Sequence, residues 1–184
     1  MNRSSKKILF LSLSLAIFSS CNNGDGSTKP SSGKDSLAVA PVEQKMSYPY
    51  SIEYPDNWEI GNQQNTFNAL SALKAWENGN IDESLKFFAD SVLVQFDGID
   101  KKVSRDTLKA IITPAKMVKG VKVKMQDWES VVSKDKKDEY VTLWYRQYYE
   151  MVNGKTDSVD VINDIKMKDG KIVGLDEYRR KLHL

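Results

Sequence analysis

The hydrophobic pattern of this chain predicts an α+β domain in which helices pack against one face of an antiparallel sheet. Two observations carry that expectation. Apolar residues recur at three- and four-residue spacing from about Asn65 to Ile112, and they alternate with polar ones from Val121 to Tyr178. A third observation bounds it: 184 residues, 40% of them hydrophobic, suffice for one domain with a sizeable core. No internal repeat is evident.

The first helix is predicted by Phe67, Ala69, Leu70, Ala72, Leu73 and Trp76, with Asn78-Gly79 as its stop. A short second helix follows, with Asp82 near its start and Leu85, Phe87 and Phe88 apolar. Ala89 to Gln95 turns extended through Val92, Leu93 and Val94. Ser104 then supplies an N-cap for a third helix through Leu108, Ala110, Ile111 and Ile112, which Pro114 ends.

Four strands are expected after that. The first alternates Val121, Val123 and Met125 with lysines and runs past Trp128 towards Val132, ahead of a charged turn at Lys134 to Asp138. The second carries Val141, Leu143, Tyr145, Gln147, Tyr149 and Met151 on one face, and Asn153-Gly154 is a strong hairpin signal. On the third, Val159, Val161, Ile165 and Met167 share a face with Asn163. Asp169-Gly170 marks another tight turn, and Ile172 to Tyr178 returns.

Upstream of the domain the composition changes twice. Residues 1–20 hold the positive Arg3, Lys6 and Lys7, an apolar stretch from Ile8 to Phe18, and the small pair Ser19-Ser20 just before Cys21. The apolar stretch is too short to span about 30 Å of hydrocarbon. The run Phe18-Ser19-Ser20-Cys21 resembles the lipobox of bacterial lipoproteins. The resemblance implies that residues 1–20 are a signal peptide, that the Cys21 thiol takes a diacylglycerol, and that its new amino terminus takes a third acyl chain. Two or more chains anchor stably where one does not. Asn22 after the cysteine is similar to the sorting position of outer-membrane lipoproteins, which implies a cell-envelope protein lipid-anchored to the outer membrane, facing the periplasm or the surface.

Residues 21–45 are rich in Ser, Gly, Asn and Lys and cannot offset their ordering entropy by burial. They read as a flexible tether with a root-mean-square span of roughly 25–30 Å. Residues 46–60 differ, because Tyr48, Tyr50, Tyr54 and Trp58 punctuate them beside Pro49 and Pro55. Prolines exclude a helix, and four aromatics predict that this extension packs on the domain formed by residues 61–184.

Loss of residues 1–20 removes three positive side chains and no negative one, taking the formal charge from +2 to −1. The electrostatic case for nucleic-acid binding goes with it. Lys116, Lys119, Lys122 and Lys124 read as a solvated face. One cysteine and one histidine leave no metal-ligand set, and no phosphate loop or Ser–His–Asp set is present, so no metal or cofactor is expected.

Two stretches carry a further resemblance. The run from Lys74 through Trp76-Glu77-Asn78-Gly79-Asn80 to Asp82, followed by Phe87-Phe88-Ala89-Asp90-Ser91-Val92, is similar to the opening of NTF2-like (SnoaL-like) domains, and Asp169-Gly170-Lys171-Ile172-Val173 is similar to their last hairpin. The resemblance implies a cone: a curved sheet wrapped around helices, with a cavity at the wide end. It also permits residue-by-residue tests. Aligned on ketosteroid isomerase, the catalytic tyrosine position falls on Ala72, the base on Phe96 and the oxyanion acid on Asn163, so that chemistry is not expected. The scytalone dehydratase pattern needs pocket histidines, and only His183, next to the terminus, is present. The limonene epoxide hydrolase pattern needs an arginine between two acids. Arg146 falls on the opposite face to Tyr145 by strand alternation, and Arg179 and Arg180 lie near the end.

The cavity is therefore expected to be apolar with a few amides and hydroxyls, and the candidate ligand-binding residues are Trp76, Phe96, Tyr145, Gln147, Tyr149 and Asn163, with no catalytic residue. Trp144, Arg146 and Tyr148 occupy the other face, which by resemblance implies a homodimer surface. The expected role is a membrane-anchored, non-catalytic module that binds a small apolar ligand or serves an envelope assembly. The alternative is a SnoaL-type enzyme (isomerase, dehydratase or cyclase-like) with rearranged acid–base groups, using Tyr145, Asn163 and Asp97 or Asp100. Its mark would be a cavity-facing carboxylate with a raised pKa.

Overall fold

The computed structural model describes residues 47–54 and 57–182. The expected signal peptide, Cys21, the tether and His183 lie outside the described residues. Among the described residues the first element is an edge strand, β1 (Trp58–Ile60), followed by α1 (Gln63–Glu77), α2 (Ile81–Leu85), β2 (Phe88–Phe96), β3 (Ile99–Ser104) and α3 (Arg105–Ile112). Four long strands complete it: β4 (Val118–Ser133), β5 (Glu139–Met151), β6 (Thr156–Lys168) and β7 (Lys171–Lys181). They form one seven-stranded sheet in the order β1-β4-β5-β6-β7-β2-β3. Among the described residues no helix is long and apolar enough to cross a membrane.

Local chemistry sets the boundaries. Asn62 caps α1, its side chain accepting from the Gln64 amide at 2.8 Å. Gly79, at φ 76, takes the left-handed position that stops the helix. Ser104 caps α3 as its sequence implied, accepting from the Thr107 amide at 3.3 Å. The β6–β7 turn is Asp169-Gly170, both with positive φ (50 and 74), the conformation a two-residue hairpin turn needs.

Three features differ from the sequence expectation. The sheet is mixed, because β2 pairs parallel to β7. Residues 99–104 form a strand that the sequence did not announce. Gly98, at φ 78, turns the chain so that β3 pairs along β2 from Phe96↔Ile99 to Ser91↔Ser104. Lysines at 101 and 102 break the apolar alternation there, as suits an edge strand. Among its described residues the aromatic extension packs at its end. Trp58 meets the Tyr140 ring edge-on at 5.9 Å, while Tyr48, Tyr50 and Tyr54 stay exposed. Among its described residues only the three of β1 have a ladder partner, on β4 at Val131–Ser133.

The core lies between α1 and the concave face of the sheet. Ala69 and Ala72 are buried, and their small side chains let the helix approach the strands closely. Leu143, Val161, Ile165 and Ile172 rise from the sheet to meet them. Burying each large aliphatic contributes about 1.5–3 kcal/mol.

Candidate functional site

The wide end of this core is hollow. A cavity of about 510 Å³ lies between α1, the end of α3 and the concave sheet face, a size suited to a small organic molecule. Its helical wall is apolar: Ala72, Leu73 and Trp76 from α1, and Ile111 and Ile112 from α3. The Trp76 indole is held by donating from Nε1 to the Ile112 carbonyl at 2.6 Å, which ties α1 to α3. Exposed Asp97, Thr113 and Ala115 stand at the rim.

The sheet wall is polar in patches, and cross-strand register explains which atoms meet. Leu143, Asn163 and Glu177 form one row across β5, β6 and β7, and Tyr145, Val161 and Arg179 form the next. Asn163 Nδ2 donates to the Tyr145 hydroxyl at 2.9 Å, and Gln147 Nε2 donates to the Tyr149 hydroxyl. Arg179 Nε donates to Glu177 Oε1 at 2.5 Å. Asn163 Oδ1 is buried without a partner, which is unusual for a buried amide.

Burial also tunes the ionisable groups. The Glu177 side chain is 9% exposed. Desolvation pushes its carboxyl above the ordinary value, Arg179 pulls the other way without winning, and Asp97 across the rim adds to the rise. Burial likewise pushes the Tyr145 and Tyr149 hydroxyls up, so both keep their protons. Among the described residues no group of three or more His, Cys, Asp or Glu side chains is arranged to hold a metal ion.

All six residues singled out from the sequence, Trp76, Phe96, Tyr145, Gln147, Tyr149 and Asn163, line this cavity. Asp97 joins them at the rim, whereas Asp100 does not line it. Arg146 faces the convex side and pairs there with Asp160. Sequence reasoning missed Glu177 and Arg179, and the cause is one irregularity. Ile172 faces the core, so simple alternation would send Asp176, Tyr178 and Arg180 inward. The pairing of β6 with β7 shifts between Lys166 and Met167, and beyond it Leu175, Glu177 and Arg179 face the cavity instead. The available signal was Gly174, since a glycine inside a strand pattern marks a bulge or a close approach. A Cβ there would meet the Lys166 Cβ at 3.0 Å.

The helices enclosed by a curved seven-stranded sheet make this an NTF2-like fold. Solved structures sharing it include an LEH-like epoxide hydrolase from M. tuberculosis (TM-score 0.52, 13% identity, covering 64% of this chain and 84% of that one). An NTF2-like protein of unknown function from Burkholderia pseudomallei matches at TM-score 0.52 and 13% identity, over 64% of this chain and 91% of its own. A third, from Exiguobacterium, matches at TM-score 0.51 and 16% identity, over 64% of this chain and 99% of its own. No protein-family model and no curated protein matches the sequence. At these identities the neighbours share the fold, and the activities in their names stay with them.

Proposed function

We propose that this chain is a lipid-anchored binding protein of the bacterial cell envelope whose NTF2-like cone holds a small, largely apolar molecule. One observation carries the reading: a hollow of about 510 Å³ with an apolar helical wall and a sheet wall bearing Tyr145, Gln147, Tyr149 and Asn163. Buried amides and hydroxyls are costly to retain in a core that only needs filling, and a few convergent polar groups on apolar walls are what a ligand site requires. Anchoring rests on the leader and on Cys21, and the Asn22 position favours the outer membrane.

The test is native mass spectrometry of the full chain released gently from membranes. The reading predicts a retained small molecule and a diacylglyceryl mass on the peptide that begins at Cys21. A bare hollow together with an uncleaved leader contradicts it.

Glu177 favours a second reading, that of a SnoaL-type enzyme. A carboxylate with a raised pKa inside the hollow, beside Arg179 and near Asp97, is equipped for acid–base work. Glu177→Gln separates the two readings. An enzyme loses turnover of the retained molecule by at least about a hundredfold, whereas a binder keeps its ligand unchanged. The convex row Trp144–Ile162–Tyr178 supports self-association, and sedimentation at tens of micromolar as a monomer counts against that.

A further inference from the structure

If the cavity binds a small apolar molecule, the directions of its hydrogen bonds constrain the group that molecule turns towards the sheet. Tyr145 and Tyr149 stand four residues apart on β5 and both line the hollow. Each hydroxyl oxygen is already an acceptor, because the Asn163 amide donates to one and the Gln147 amide to the other. A carboxamide N–H can only donate, so each phenol proton needs an acceptor elsewhere. Among the described residues neither proton has one. Turning the Asn163 amide over would give the Tyr145 proton an acceptor and leave the amide N–H groups unmet instead, so unmet donors remain on this wall either way.

Solvent does not make up the difference easily. Tyr145 is 2%, Gln147 1% and Asn163 6% exposed, while Tyr149 is half-buried, and a buried phenol ordinarily finds a partner. Glu177 stands one row away, but its Oε1 accepts from Arg179 at 2.5 Å and it makes no hydrogen bond to either tyrosine. The wall thus presents the two phenol donors to the cavity, with the unpartnered Asn163 Oδ1 buried beside them. Charge narrows the class further. Arg179 pairs with Glu177 through Nε, and with Asp97 at the rim this end of the hollow carries two acidic groups to one basic. An anionic acceptor is disfavoured there.

We infer that the ligand is an uncharged carbonyl compound on an apolar skeleton, its oxygen accepting from the Tyr145 hydroxyl, the Tyr149 hydroxyl or both. The inference rests on the binding reading above. The two tyrosines then determine specificity, and the apolar helical wall supplies affinity without selecting the functional group. Rejection follows the same rule. A hydrocarbon of equal shape leaves the buried donors unmet, which is the sharpest form of discrimination a polar pocket makes.

Calorimetric titration of the full chain with acetylnaphthalene and ethylnaphthalene tests it, because the two differ only by a carbonyl oxygen in place of two hydrogens. Naphthoate serves as the anionic control. One net hydrogen bond predicts about tenfold tighter binding of the ketone than of the hydrocarbon, with naphthoate weaker than the ketone. In Tyr145→Phe or Tyr149→Phe, which keep the ring, the ketone preference falls to about one, because the hydrocarbon no longer leaves that donor unmet. Equal affinity of ketone and hydrocarbon for the native chain overturns this inference and leaves the binding reading standing. A preference that survives in both variants also overturns it. If none of the three probes binds, the binding reading fails and takes the inference with it.

Discussion

The two faces of the central sheet are built from alternate residues of the same strands, yet they treat charge in opposite ways. On the convex face Asp160 accepts from Arg146 Nε at 2.7 Å and from Arg180 Nη2 at 2.7 Å. Those bonds hold its carboxyl at about 2. On the concave face Glu177 also meets an arginine, at 2.5 Å, yet its carboxyl is pushed up, because desolvation outweighs that partner. One arginine does not by itself decide how a carboxylate titrates: Asp160 has two arginine partners that outweigh its desolvation, and Glu177 has one that does not. The convex face places its charges in ordinary surface pairing, and the concave face keeps a protonatable group inside the hollow.

Several substitutions break or sharpen this contrast. The largest effect is expected from Leu143→Ala, a fully buried side chain of the concave row. It costs about 2–5 kcal/mol in urea unfolding, whereas Ile162→Ala, on the partly exposed convex row, costs far less. Next comes Gly61→Ala. A Cβ there would meet the Ser130 Oγ at 2.2 Å and the Val131 backbone nitrogen at 2.9 Å, so β1 separates from β4. Loss of the Trp58–Tyr140 contact should shift the tryptophan emission towards the red.

Glu177→Gln should change the shape of stability against pH. The folded carboxyl titrates above the ordinary value of 4.5, so the unfolded chain gives up its proton first. Native stability therefore falls as pH rises from about 4.5 through the raised value, and the glutamine variant lacks that fall in thermal melts. Asp160→Asn acts in the opposite limb. The Asp160 contribution is present above the ordinary 3.8 and is lost as pH falls towards about 2. The variant is therefore less stable at neutral pH, and its deficit shrinks as pH falls from 3.8 and closes only below about 2. Tyr50→Ser, on an exposed residue of the arm, should move stability by no more than about 0.5 kcal/mol.

Much of this architecture was legible in the residues. Helical spacing located α1 and α3, Ser104 announced its cap, and the alternation of Tyr145 with Arg146 placed those two side chains on opposite faces. Asn153-Gly154 and Asp169-Gly170 marked their hairpins, where Gly154, Asp169 and Gly170 take the positive φ such turns need. Two things were hidden. The lysines of β3 masked its alternation, and parallel pairing of β2 with β7 joins residues far apart in the chain, beyond any local pattern. The register shift in β7 hid Glu177 and Arg179, because period-two reasoning assumes unbroken phase and a single bulge inverts every residue after it. The chemistry of the cavity thus turned on a feature that composition and spacing do not encode, with Gly174 its only trace.

The most direct trial of the central claim is to fill the hollow. Ala72 is buried on α1 and lines the cavity, so Ala72→Leu intrudes on the space while keeping the sheet wall intact. With folding verified by circular dichroism, acetylnaphthalene titrated into native and variant chains should bind the native protein and lose at least about tenfold in affinity for the variant. Equal affinity for the two would place the molecule outside the cone and contradict the account.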